Sequence, residues 1–145
     1  MSDVKVGVLL AMRETAVMFH EIVAPICRRH DVTVQQVLIL VELEERPHQM
    51  AAQLADRVGI RRTNVAAVCC KMEAKGLILR QRSKTDRRCV RLDATQKGLG
   101  LLERVTEELG LVLERGSLVM NEQDYVDIRD GMSAFSKLMT AAMKS

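Results

Sequence analysis

Aromatic side chains are almost missing from this 145-residue sequence: Phe19, Tyr125 and Phe135 are all there are, and there is no tryptophan. A core built from such a chain must be aliphatic, with nine methionines as pliable filler. Recognition of single-stranded nucleic acid by stacking is excluded in practice, because there is almost nothing for a base to stack on. Proline is equally scarce, at Pro25 and Pro47 only, and low-complexity segments and internal repeats are absent. No apolar run approaches the roughly 20 residues that a membrane span requires. The longest near the start, Val6 to Met12, stops at Arg13 and Glu14 and is too short and too poorly flanked for a secretory signal. Cys27, Cys69, Cys70 and Cys89 follow no spaced disulfide framework, which places the chain in a reducing compartment. The expectation is a cytoplasmic protein with no membrane partner.

What is present is the balance of one ordinary folded domain, 48% hydrophobic and 28% charged, which excludes a disordered or fibrous chain. The net charge of +3 says little, but its distribution says more. Between Arg57 and Lys97 stand twelve basic residues against three acidic ones (Glu73, Asp86 and Asp93), while the rest of the chain carries a net −6. A basic middle between acidic flanks is the pattern of a polyanion-binding face bordered by surfaces that repel polyanions, and nucleic acid is favoured over a merely solvated face.

Hydrophobic spacing divides the chain into helices with one extended interruption. Val8, Met12, Phe19, Ile22, Val23 and Ile26 recur at helical intervals up to about Cys27, with Pro25 expected to loosen the last turn. Thr33-Val-Gln-Gln36 reads as a capping box, followed by a face expected to comprise Val34, Val37, Leu38 and Val41. A short helix from about Met50 to Val58 closes at Gly59, and a longer one from about Arg62 to Lys75 closes at Gly76. After Gly76 the period turns extended, with strands at Leu77–Arg82 and Cys89–Asp93 joined by a polar, basic tip. Thr95 caps the next helix, which carries Leu102, Val105, Leu109 and Val112 and should bend or break near Gly116. The last helix presents Tyr125, Ile128, Met132, Phe135, Met139 and Ala142 as a coiled-coil-like seam.

The chemistry sits between Gln53 and Met72. Two helices crossing at a tight turn need a small residue at the crossing, here Ala55, a turn residue, Gly59, and apolar locks, here Leu54, Val58, Ile60, Val65 and Val68. With Val65, Val68, Cys69 and Met72 facing inward, positions 63, 66, 67 and 70 face outward, where a DNA major groove would lie. Arg61, Arg62, Thr63 and Asn64 crowd the exposed N-terminal turn, within reach of phosphates and base edges. A helical hairpin inside a bundle would satisfy the apolar positions equally well, but it does not account for the basic hairpin that follows. A helix-turn-helix with a basic two-stranded wing is a winged-helix pattern.

These residues resemble a known family. Leu54-Ala-Asp-Arg-Val-Gly-Ile60, Lys75-Gly-Leu-Ile78 and above all Thr85-Asp-Arg-Arg-Cys-Val-Arg-Leu-Asp-Ala-Thr-Gln-Lys-Gly98 are similar to the multiple antibiotic resistance regulator (MarR) family, and the resemblance extends over the whole chain. It implies a mainly α fold with a small β-hairpin wing, in one domain spanning 1–145. Within it, a winged helix-turn-helix DNA-binding core occupies about 33–95, and N- and C-terminal dimerisation helices occupy about 4–30 and 96–145. It implies a homodimeric regulator of transcription on double-stranded DNA, not an enzyme. Recognition helices would enter the major groove and wing arginines the minor groove. By that match Arg88 is the wing arginine and Asp86 the carboxylate that orients it, a role its reach and paired hydrogen bonding would allow. Arg80, Arg82, Lys84 and Arg87 are expected on phosphates.

The sequence departs from the family where the two helices begin, since Met50 and Arg61 replace the usual Ser or Thr caps, and where Ala66 and Ala67 replace longer polar readers. Cys70, on the outward side beside Lys71, and Cys89 are candidates for a redox switch, as some relatives sense oxidants, whereas Cys69 reads as a small buried hydrophobe. Cys27 and His30, with His20 and Glu21, match no standard zinc spacing, so no metal and no cofactor are expected. A small-molecule effector is a candidate partner, in a site not lined by stacked aromatics. The competing class is a dimeric winged-helix module that binds another protein without an operator, and salt-dependent duplex binding discriminates the two.

Overall fold

The computed structural model describes residues 3–82, 84 and 89–144. The elements run α1 (Asp3–Arg29), α2 (Val34–Glu45), α3 (Ala51–Val58), α4 (Arg62–Ala74), β1 (Ile78–Arg82), β2 (Val90–Ala94), α5 (Gln96–Ser117) and α6 (Glu122–Met143). Two compact units result, 1–109 and 110–145.

The first unit holds the core. Its largest fully enclosed side chains are Ile26 and Cys27 from the end of α1, Ile39, Leu40 and Leu43 from α2, and Leu54 from α3. Cys69 and Met72 of α4, Leu77 and Ile78 at the root of the hairpin, Leu92 of β2 and Val105 of α5 complete them. No aromatic ring is among them, as the composition requires. The capping box expected at Thr33 is formed: Gln36 N donates to Thr33 Oγ1 at 3.1 Å and Thr33 N to Gln36 Oε1 at 3.2 Å. The buried face of α2 differs from the one expected. Val37 is inside, but Ile39, Leu40 and Leu43 are the other anchors, and Leu38 is 43% exposed. Helix α2 is apolar on nearly every side between Val34 and Leu43, so its spacing could not select a face, and contact with its neighbours did.

Both glycines expected at helix ends adopt the left-handed conformation, Gly59 at φ 73° and Gly76 at φ 73°. Strands β1 and β2 pair antiparallel with Ile78 opposite Ala94 and Arg82 opposite Val90. The α2–α3 loop adds a short third member through Gln49, whose amide donates to Leu92 O at 3.3 Å and whose carbonyl accepts from Leu92 N at 2.8 Å. Neighbouring His48, at φ 59°, binds Asp93 twice: backbone N to Oδ1 at 2.9 Å, and ring Nδ1 to Oδ2 at 2.7 Å. The loop before the helix-turn-helix is thus fastened to the strand that returns from the wing. At the far side of the unit, Glu108 of α5 receives Arg29 Nη2 at 2.7 Å and faces His30 Nε2 at 2.7 Å, which ties the end of α1 to α5.

In the second unit, α5 ends at Ser117, where a break was expected, and Asn121 caps α6 by accepting from Asp124 N at 3.0 Å. Tyr125, Ile128, Met132 and Met139 of the α6 seam are exposed, and so are Val8, Met12 and Phe19 of α1 in the first unit.

Candidate nucleic-acid interface

The sequence forms a helix-turn-helix because its apolar positions close over one another. Leu54 and Ala55 of α3 are completely buried, Ile60 in the turn is 7% exposed and Val65 of α4 is 3% exposed. Val58 and Val68, also expected as locks, are half-buried. With Cys69 and Met72 at the base of α4, the opposite side of that helix is left to solvent: Thr63, Asn64, Ala66, Ala67 and Cys70 are all exposed. The outward face lies where the helical period placed it.

Neither helix of the motif has a side-chain cap at its start. Met50 cannot supply one, and α3 instead uses half a box, Gln53 Oε1 accepting from Met50 N at 3.1 Å. Arg61 stands at the start of α4 with its side chain in solvent. The amides of that first turn lack a side-chain acceptor, and with the helix dipole they favour an anion there.

The basic residues predicted for the site divide into those held by the protein and those left outward. Arg62 is held by Asp56 of α3 through two parallel hydrogen bonds, Nε to Oδ1 at 3.0 Å and Nη2 to Oδ2 at 2.5 Å. The pair depresses the Asp56 carboxyl below its ordinary range and raises the Arg62 guanidinium above its own. Arg80 of β1 reaches back onto α4, its Nε 2.9 Å from Glu73 Oε2 and its Nη2 3.2 Å from the Cys70 thiol. Lys75 and Lys97, which also swell the basic count, donate to the carbonyls of Asp31 and Lys75 at 2.5 and 2.8 Å. Arg61, Arg82 and Lys84 are exposed. Asp86, Arg87 and Arg88 lie outside the described residues.

Arg80 does more than carry charge. By binding Cys70 and Glu73 it sets the wing strand against the flank of α4, so the outward face of the helix and the basic strand are contiguous. Beneath the contact lies a small cleft of about 90 Å³ lined by Ala51, Ala66, Cys69, Arg80, Val90 and Leu92. Burial pushes the Cys69 thiol up, away from the thiolate. Cys70 is exposed and Cys89 half-buried, and Cys27 is enclosed in the core with its thiol also raised by burial.

Such an exposed helix face beside a basic hairpin has close counterparts. The MarR family profile matches residues 32–90, from the start of the helix-turn-helix region to the returning strand. The homoprotocatechuate degradative operon repressor of Escherichia coli is 33% identical over 101 residues, which cover 70% of this chain and 66% of that protein. The chain belongs to the MarR family. Among solved structures, a MarR family protein from Bacillus stearothermophilus superimposes with a TM-score of 0.83 at 20% identity, covering 97% of this chain and 99% of that one. The transcriptional repressor CouR bound to a 23-mer DNA duplex has a TM-score of 0.74 at 26% identity, covering 88% and 89%. The MarR family is one of transcriptional regulators, not of enzymes. The match spans just under two thirds of the E. coli repressor's length. Among the described residues no helix is long and apolar enough to cross a membrane.

Sequence reasoning about this MarR-family chain missed the acidic partners. Asp56 lies six positions before Arg62, across a turn, and Glu73 seven before Arg80, across another. Neither spacing follows a helical or strand period. The one available signal was that Glu73 is one of the few acidic residues inside the basic segment and Asp56 stands immediately before it. His48 and Asp93, 45 positions apart, left no local signal at all.

Proposed function

We propose that this chain is a homodimeric repressor that binds pseudo-palindromic double-stranded DNA, with α4 in the major groove and the β1–β2 wing over the flanking minor groove. The observation that carries it is the contiguity of the exposed α4 face with the basic wing strand, joined where Arg80 meets Cys70 and Glu73. Thr63 and Asn64 are the base readers in this reading, while Arg61, Arg82 and Lys84 bind phosphates and fix the register. Arg88, oriented by Asp86, enters the minor groove and Arg87 lies on the backbone, roles that rest on the sequence resemblance. The exposed apolar residues of α1 and α6 support dimerisation, since single chains rarely leave such surfaces in water.

No cofactor is needed. Release is proposed to follow a small-molecule effector or thiol oxidation, and of the two cysteines considered, Cys70 is the exposed one. Loss of binding after peroxide in the wild type, retained binding in Cys70→Ser, and a matching mass shift would assign the signal to that thiol.

The test is a titration of duplex DNA from upstream of the protein's own gene against a scrambled duplex, at two salt concentrations. Preference of roughly 10³-fold or more for the upstream duplex supports a sequence-specific regulator. Arg88→Ala is then expected to lose nearly all operator binding. Absence of binding to either duplex overturns the reading and favours a winged module that binds another protein.

A further inference from the structure

We propose that the Asp56–Arg62 pair is a charge-neutral clamp that positions the start of the recognition helix and withholds Arg62 from DNA phosphates, making Asp56 a determinant of the protein's sequence-independent affinity for duplex DNA and of its salt dependence. The inference rests on the DNA-binding reading above. Four observations lead to it. Arg62 is the first residue of α4, beside Arg61 and Thr63, so its guanidinium stands in the turn where phosphates would be met. That guanidinium is taken up on its Nε and Nη2 edge by a single carboxylate, in the fork geometry that an arginine would otherwise offer to a phosphate. The carboxylate comes from the other helix of the motif, so the pair spans the turn through Gly59 and fixes the start of α4 relative to α3. Both side chains remain in solvent, at 66% and 55% exposure, so the pair is not a core requirement of the fold.

A surface ion pair adds little stability, commonly below about 1 kcal/mol, so stability is a poor reason for an aspartate within a face that is otherwise basic. Its electrostatic effect is larger where a polyanion approaches. With Asp56 present, the two neighbours Arg61 and Arg62 contribute one uncompensated charge instead of two. Each phosphate contact raises the salt slope of binding by about 0.9, whatever the sequence. A second free arginine would therefore strengthen binding to every duplex alike, raising the affinity for non-specific DNA while leaving the ratio set by base contacts unchanged.

Three variants test the clamp: Asp56→Asn, Arg62→Gln and the double variant, each titrated against operator and scrambled duplexes across a salt series. Circular dichroism of each verifies the helical fold. Asp56→Asn frees Arg62 and is expected to bind operator and scrambled DNA each about tenfold more tightly at 0.1 M salt, with both slopes steeper by about 0.9 and the operator preference unchanged. Arg62→Gln leaves Asp56 facing the phosphates and weakens binding to both duplexes. The double variant removes a net charge of zero and is expected to return to the wild-type slope. A double variant whose slope is shallower than wild type by about 0.9 would show Arg62 on a phosphate and overturn the clamp, as would an Asp56→Asn variant with unchanged slope. Wild-type protein without salt-dependent binding to either duplex overturns the DNA-binding reading itself, a result distinct from wild-type binding with the wrong order of variants. A variant that loses its helical signal makes the pair structural and also overturns its role in limiting phosphate contacts.

Discussion

The carbonyl oxygen of Leu77 occupies the space that a side chain on residue 98 would need, so Gly98 is what lets α5 begin against the root of the wing. The same carbonyl accepts from Thr95 N at 3.0 Å, and Thr95 Oγ1 accepts from Gly98 N at 3.0 Å while donating to Gly76 O at 2.6 Å. Helix end, strand start and helix start are thereby joined by three hydrogen bonds.

Gly98→Ala should be the most damaging of the glycine substitutions, because the added Cβ also comes within 3.0 Å of Leu40 Cδ2 and its main obstacle is backbone. A loss of about 3 kcal/mol is expected in urea unfolding, at the upper end of overpacking costs. Gly59→Ala meets nothing within 4 Å but must hold φ at 73°, and should lose about 1 kcal/mol. Gly110→Ala, in α5 with open space around it, should instead gain up to about 1 kcal/mol. A Gly98→Ala midpoint equal to that of Gly59→Ala would contradict the crowding at Leu77.

Stability should fall with acid through Glu108. Arg29 first, and His30 second, hold its carboxyl below the ordinary 4.5. A depressed carboxylate contributes stability above its unfolded value and loses it as pH falls through the lower folded value. The contribution is therefore fully present at neutral pH and disappears below about pH 4.5. Glu108→Gln should flatten that acid limb of the unfolding midpoint. An unaltered acid limb would mean that other carboxylates govern it.

Asp93 is the one carboxylate that His48 uses twice, and its side chain is only 14% exposed. Asp93→Ala should cost about 2 kcal/mol, the scale of hydrogen bonds to a charged group. Amide exchange should speed up first at Gln49 and Leu92, whose pairing the loop supports. Uniform acceleration across all helices would show a global effect instead of a loosened loop.

On duplex DNA, Arg61→Ala and Lys84→Ala should each lower the salt slope by about 1 and weaken binding to all sequences alike. Arg129→Ala on α6, already paired with Asp130 at 3.2 Å, should leave the slope untouched. A change confined to the operator duplex would recast Arg61 as a base reader.

The sequence by itself determined whatever depends on local spacing. The capping box at Thr33, the glycine ends at Gly59 and Gly76, the helix pair locked by Leu54, Ala55, Ile60 and Val65, and the basic hairpin are all properties of neighbours within a few positions, where helical and strand periods and backbone sterics decide. The outward face of α4 followed for the same reason. Tertiary structure decided which face of α2 is buried, because a helix apolar all round has no preferred side until its neighbours arrive. It also decided which cations are free. Arg62 and Arg80 look alike in sequence to Arg61 and Arg82, and only folding brings Asp56 and Glu73 to the first two, since an ion pair depends on distance in space and not along the chain.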